Sequence, residues 1–270
     1  LRAACSLALI CAMTACGEQA AVTANVYDSK LAGKWYDADP AKVQEQLQGF
    51  LDKAEVTPLD RVQALILPHA GYEYSGQTAA YGIKTLTGKK FSRIIVMGCT
   101  HRAPMENVAS IPDVAQYRTP MGTIPLDTQF LAALKKYPQL VTLPRAQEGE
   151  HSVEIELPLL QKVLGEFRLV PIIVGYLDID TARAIGAILQ SLMDENTLFV
   201  ASSDFTHYGP NYQYVPFKEN VTEELKKLDM GVFDQIKAKN LSGLYEYLDK
   251  TGATVCGRYA IAVLLSMLPA

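Results

Sequence analysis

The chain has 270 residues, of which 49% are hydrophobic, and a formal net charge of -4 at pH 7. This length and composition fit one large α/β domain or two small ones. The charges form no basic surface of the kind that binds nucleic acid. No apolar run reaches the roughly 20 residues that a membrane-spanning helix needs.

The N-terminal segment has the parts of a secretory signal. Arg2 precedes an apolar run that ends in small residues. The sequence Met13-Thr14-Ala15-Cys16 is similar to a bacterial lipobox, whose cysteine is lipidated after cleavage. An ordinary buried helix is the alternative, but the flanking residues favour a signal. We therefore expect a lipid on Cys16 to anchor the protein in the periplasm of a bacterial cell envelope. Gly17 after this cysteine resembles the pattern of enterobacterial lipoproteins sorted to the outer membrane, so we expect the outer rather than the inner membrane.

These features divide the chain into three parts. We expect residues 1–16 to be the lipoprotein signal peptide and lipobox, 17–33 a tether, and 34–270 a single domain. Because the sequence does not begin with methionine, we also expect that its first residues are missing.

Three apolar runs in the domain are typical of buried strands, and a histidine follows each of them. The runs and their histidines are 62–67 with His69, 93–98 with His101, and 197–201 with His207. In open α/β sheets, ligands bind at the carboxyl ends of the strands. We therefore expect these histidines to lie near one another at one edge of a sheet.

Helical patterns alternate with the predicted strands. Helices are predicted over 41–54, 75–86, 127–136, 153–164, 178–193, 218–238, 241–250 and 259–268, further strands over 108–111 and 167–174, and a turn-rich stretch over 117–122. Pro158 either kinks the fourth helix or marks its start. The alternation predicts an α/β fold with a central, largely parallel or mixed sheet flanked by helices.

Two histidines at equivalent strand ends favour a metal site, because neutral imidazole is the commonest protein ligand for metals. A hydrogen-bonded turn residue is the alternative for either histidine alone. Cys256 is either a small buried hydrophobe or a thiolate ligand, and sequence spacing does not decide between them. Once a signal is removed, Cys99 and Cys256 are the remaining thiols. They can form a disulfide in an oxidising compartment or bind a metal.

Two acid–histidine pairs are candidates for acid/base catalysis. Asp204 and His207 are three positions apart beyond a strand, so a helical turn would place them on one face. Glu150 and His151 are adjacent, just before a predicted helix. Helix capping is the structural alternative for both acids. Phosphate-binding and dinucleotide-binding motifs and a nucleophile elbow are missing from the sequence. A nucleophilic set of cysteine, histidine and aspartate stays open.

Six groups of short motifs occur in order along the domain. They are Pro68-His69-Ala70-Gly71-Tyr72 with Tyr74-Ser75-Gly76, Thr100-His101, Tyr117-Arg118-Thr119-Pro120, Glu150-His151-Ser152-Val153-Glu154, Ser202-Ser203-Asp204-Phe205 with His207, and Cys256-Gly257-Arg258. Together they resemble the MEMO family, over about residues 65–268. The bacterial branch of this family is labelled AmmeMemoRadiSam system protein B.

The resemblance implies a fold similar to that of the class III extradiol dioxygenases. It also implies that His69, His101 and Cys256 bind one metal ion, with His207 and Asp204 close by. Two imidazoles and a thiolate differ from the two-histidine, one-carboxylate set of non-heme iron oxygenases. We expect Fe(II) first, with copper or zinc as alternatives. Relatives are commonly cytosolic and continue past the last predicted helix, so we also expect a truncated C-terminus.

Three functions compete at this point. The first is an iron-dependent redox enzyme of extradiol-dioxygenase type that acts on a small molecule, with His207, Asp204, His151 and Glu150 as its catalytic residues. The second is a metal-handling protein without turnover at the cell envelope. The third is a module that binds a peptide in the old cleft. An open coordination position favours the first function, and a closed site favours the second.

Overall fold

The computed structural model describes residues 25–268, which form two sheets and nine α-helices. The strands are β1 (Val26–Asp28), β2 (Ala64–Leu67), β3 (Arg93–Cys99), β4 (Ala109–Ser110), β5 (Gln116–Thr119), β6 (Gly122–Pro125), β7 (Leu140–Val141), β8 (Arg168–Val174) and β9 (Thr197–Ser202). The helices are α1 (Pro40–Lys53), α2 (Tyr72–Lys84), α3 (Thr128–Leu134), α4 (Pro144–Gln147), α5 (Leu157–Leu164), α6 (Ile179–Leu192), α7 (Val221–Lys237), α8 (Leu241–Thr251) and α9 (Arg258–Met267).

The larger sheet has six strands in the order β2-β9-β3-β8-β4-β7. Its first four strands are parallel, β4 runs antiparallel to β8, and β7 is parallel to β4. The smaller sheet has the order β1-β5-β6. The predicted α/β fold with a mixed sheet flanked by helices is therefore confirmed.

Helices cover the larger sheet because its central strands are apolar on both faces. All six residues of β9 and six of the seven in β3 are buried. One group of helices, α1, α2 and α5, packs together and contacts β2 through α2. A second group contains α6, α8 and α9, of which α9 contacts both β3 and β9.

Local sequence signals explain where several helices begin. The Asp39 carboxylate accepts hydrogen bonds from the backbone N–H groups of Ala41 and Lys42, and so caps α1. Asp178 caps α6 in the same way. Pro158 lies in the first turn of α5, where its missing N–H has no helical partner to lose. Pro158 therefore marks the start of this helix and does not kink it.

The smaller sheet differs from the sequence predictions. The stretch 117–122, predicted as turn-rich, belongs to the β5–β6 hairpin, whose turn includes Gly122 at a positive φ of 122°. Ordered structure also begins earlier than residue 34. The strand β1 pairs with β5, and the backbone N–H groups of Lys30 and Leu31 donate to the Glu154 carboxylate. The part of the predicted tether from residue 25 onward thus belongs to the domain.

The predicted signal peptide and lipobox at 1–16, including Cys16, lie outside the described residues. So does the first part of the predicted tether. Within residues 25–268, no helix is both long enough and apolar enough to cross a membrane.

Candidate metal centre

Strand order brings the predicted site residues together. The adjacent strands β2, β9 and β3 are parallel, so the loops after them meet at one edge of the sheet. His69 follows β2, Asp204 follows β9, and His101 follows β3. The turn before α9 adds Cys256 to this edge. The structure therefore brings His69, His101 and Asp204 to one edge, and it places Cys256, which sequence spacing could not locate, beside them.

Four side chains form the centre of the site, and we call them the ligand cluster: His69, Cys99, His101 and Cys256. One potential ligand atom from each lies within 4.8 Å of the others. The Cys256 Sγ is 3.1 Å from His69 Nε2, and the Cys99 Sγ is 3.7 Å from His101 Nε2. Both cysteines are free thiols. The cluster thus offers two nitrogen and two sulfur donors.

A buried chain of hydrogen bonds orients His69. Its Nδ1 lies 2.8 Å from Ser202 Oγ, and the Ser202 hydroxyl donates to Glu156 Oε1 at 2.9 Å. Ser202 thus holds Nδ1, and Nε2 points at Cys256, where it donates to the thiolate of the metal-free protein. Burial raises the pKa of Glu156 to about 8, although the Ser202 hydrogen bond opposes the change.

A carboxylate orients His101 directly. The His101 Nδ1 donates to Glu150 Oε1 at 2.9 Å, and the His101 backbone N–H donates to Glu150 Oε2 at 2.7 Å. Burial by itself would raise the pKa of Glu150. The hydrogen bonds from His101 and from the backbone of Ser152 outweigh burial and lower the pKa to about 2. Burial opposes the charged form of His101 too, but hydrogen bonds to Cys256 and Glu150 raise its pKa to about 9.

The two thiols of the cluster titrate in opposite directions. A hydrogen bond from Cys99, together with those from His101 and His69, lowers the pKa of Cys256 despite its burial. The hydrogen bond with Cys256, followed by burial, raises the pKa of Cys99. In the metal-free protein Cys256 is therefore the thiolate, and Cys99 keeps its proton.

His151 lies beside the ligand cluster. Its ring centroid is 4.3 Å from that of His101, 5.3 Å from that of His69 and 4.5 Å from that of Trp35. Burial and the positive charge of His101 lower the pKa of His151 to about 4. His151 is therefore neutral at pH 7. The predicted acid/base roles of His151 and Glu150 stay predictions.

Asp204 and His207 lie at the same edge, next to Cys256. The His207 Nδ1 donates to the Thr254 carbonyl at 2.9 Å, so Nε2 carries the lone pair. That Nε2 is 3.8 Å from Asp204 Oδ2. Asp204 Oδ1 accepts the backbone N–H of His69 at 2.9 Å. Asp204 thus fixes the loop that carries His69 and caps no α-helix.

The structure adds three residues that the sequence reasoning left without a role in the site. The sequence leaves Cys99 as one of two thiols that either pair in a disulfide or bind a metal, although it stands two positions before His101 at the end of a strand. Ser202 belongs to one of the six groups of short motifs. Glu156 lies among apolar residues of the helix predicted over 153–164. A carboxylate inside such an apolar segment is the available sequence signal, because buried acids need a polar partner.

The fold and the ligand cluster define a mixed α/β protein with a candidate metal centre. A family model described as Memo-like protein matches residues 28–270. Protein memo-1 homolog of Caenorhabditis elegans is 34% identical over 242 residues, which cover 87% of this chain and 69% of the relative. Protein MEMO1 of Danio rerio is 33% identical over 247 residues, which cover 87% of this chain and 82% of the relative. Protein MEMO1 of Homo sapiens is 32% identical over 249 residues, which cover 88% of this chain and 82% of the relative. The chain belongs to the Memo-like family.

The predicted localisation is wrong. Animal proteins match this chain over nearly the whole domain, and animal cells have neither a periplasm nor a bacterial outer membrane. The envelope prediction depended on the N-terminal segment alone, which lies outside the described residues.

Proposed function

We propose that this protein binds one metal ion through His69, Cys99, His101 and Cys256. The observation that carries this proposal is the convergence of four ligand atoms within 4.8 Å of one another. Hydrogen bonds behind both imidazoles support it, because metal-binding histidines commonly donate their second ring N–H to a carboxylate or another acceptor. Here Glu150 accepts directly, and Ser202 links His69 to Glu156.

The donor set favours zinc or copper(I) over the Fe(II) that the sequence predicts first. Two cysteines and two histidines form tetrahedral zinc sites, and soft thiolates also suit copper(I). Non-heme iron oxygenases instead use two histidines and a carboxylate. A bound ion would supply a positive centre that holds these loops together and polarises a neighbouring ligand. Its binding would displace the proton of Cys99. Four protein donors would fill the coordination positions of a tetrahedral ion, and this favours a metal-handling protein without turnover over an enzyme.

A second candidate function is a redox enzyme of extradiol-dioxygenase type. The observation that favours this alternative is that Asp204 and His207 offer atoms within 4.8 Å of each other and of Cys256, which puts an acid and a histidine beside the cluster. In this function Cys99 would not bind the ion. Three ligands would then remain, His69, His101 and Cys256, and coordination positions would be open. His207 would serve as the acid/base group, since the lone pair of its Nε2 faces the site.

Metal analysis of anaerobically purified protein tests the proposal. We expect about one ion per chain in the wild type and loss of most of the metal in Cys256→Ser. Cys99→Ser distinguishes the two functions: weaker metal binding supports the four-ligand centre, whereas unchanged binding supports the enzyme. Cys256→Ser with the metal content of the wild type, and with matching circular dichroism, would contradict both.

A further inference from the structure

A basic groove lies beside the ligand cluster and has no part in the function proposed above. Its volume is about 620 Å³. Four cationic side chains line it, together with a single acidic one, Glu148. The cationic residues are Lys30, Lys34, Arg102 and Arg145.

Glu148 offsets only part of the positive charge of the groove. Among residues 25–268, none of the four cations forms an ion pair with an acidic side chain within 4.0 Å. Arg102 donates its Nε–H to the Gly149 carbonyl at 2.7 Å, which fixes the guanidinium against the groove lining. Like charges gathered in one concave surface attract an anion and raise its local concentration. A guanidinium is also suited to bidentate binding of a carboxylate or phosphate.

Two aromatic rings connect the basic groove to the candidate metal centre. Trp35 and His151 both line the groove, and their ring centroids are 4.5 Å apart. The His151 ring also contacts the rings of His69 and His101. A ligand that lies along these two rings can therefore reach from the cations to the ligand cluster.

We propose that the basic groove binds the anionic group, a carboxylate or a phosphate, of a small organic ligand whose body lies along Trp35 and His151. Its use as a subsite of the metal centre rests on the function proposed above. Anion binding itself depends on the four cations and does not need the metal.

The single tryptophan of the chain provides a direct readout, because Trp35 lines the groove. We would titrate metal-free protein with phenyl phosphate, benzoate, uncharged benzamide and cationic benzamidine. We expect saturable changes in Trp35 fluorescence with both anions, and at least tenfold weaker binding of benzamide and benzamidine. Tighter binding of phenyl phosphate identifies a phosphate ligand, and tighter binding of benzoate a carboxylate ligand.

The double variant Lys34→Gln/Arg145→Gln should weaken binding of the preferred anion at least tenfold and leave metal content unchanged. Both side chains are exposed, so the fold is kept. Lys226→Gln, which changes an exposed lysine on α7, is the matched control and should bind as the wild type does. Benzamide binding as tightly as benzoate, or an unchanged affinity of the double variant, would overturn the proposal. If instead the metal proposal is wrong, the wild type contains no metal but still binds the anion.

Discussion

Replacement of Glu150 by glutamine tests the hydrogen-bond network that holds His101 in place. The substitution keeps the shape of the side chain and one acceptor oxygen, but it removes the negative charge beside the imidazolium. In the wild type, hydrogen bonds from His101 and from the Ser152 backbone lower the pKa of Glu150 from 4.5 to about 2, and Glu150 in turn helps raise the pKa of His101 to about 9. The metal-free protein is the right sample, because a bound ion would change both values.

The expected loss of stability follows from the pKa of Glu150. Its lowering from 4.5 to about 2 corresponds to roughly 3 kcal/mol of stabilisation. The His101 side chain is 32% exposed, and glutamine still accepts one backbone hydrogen bond, so we expect a loss of about 2 kcal/mol at pH 7. Because folding lowers this pKa, the stabilisation is complete above pH 4.5 and disappears as the pH falls toward 2. It also declines as the pH rises through about 9, where His101 loses its proton.

Urea unfolding of the metal-free protein between pH 3 and pH 10 measures this difference. The control is Glu148→Gln, which makes the same chemical change at an exposed position two residues away. We expect the control to be within ~0.5 kcal/mol of the wild type at every pH. If Glu150→Gln is as stable as Glu148→Gln throughout the range, the reasoning about the His101 network is refuted.

Four further variants test the ligand cluster and its surroundings. His69→Ala should lose most of the metal with an unchanged circular dichroism spectrum, and a metal content equal to the wild type would remove it from the ligand set. Ser202→Ala should weaken metal binding by about 10- to 100-fold, as loss of a hydrogen bond behind a ligand commonly does; an unchanged affinity would exclude an orienting role. In cobalt(II)-loaded protein, Cys99→Ser should halve the thiolate-to-metal absorption if both sulfurs bind, and leave it intact if only Cys256 does. His207→Ala should keep the metal. A loss as complete as that of His69→Ala would make His207 a ligand.

The strand ends of this site could be predicted from sequence because each one is marked by a local signal, an apolar run directly before the site residue. Each apolar run that leads to His69, His101 and Asp204 reads as a buried strand, and parallel pairing brings such ends together without further information. The smaller sheet could not be predicted in this way. Its strands have only three or four residues in their paired segments, and β1 pairs with a partner about 90 positions away.

The rest of the cluster depends on packing that sequence spacing does not reveal. Cys256 is 187 positions from His69 and reaches it because α9 packs against the central strands. Only the family resemblance predicted it as a ligand. Cys99 and Ser202 directly follow the predicted apolar runs 93–98 and 197–201, and Glu156 lies within the helix predicted over 153–164. Their roles depend on which face of each element points to the site.

The central claim is that two sulfur and two nitrogen atoms of one chain bind a single ion. X-ray absorption spectroscopy at the edge of the metal that copurifies under anaerobic conditions tests it most directly. For zinc, the account predicts two sulfur ligands at about 2.3 Å and two nitrogen ligands at about 2.0–2.1 Å. A shell composed of nitrogen and oxygen alone would show that neither Cys99 nor Cys256 binds the metal, and would contradict the account.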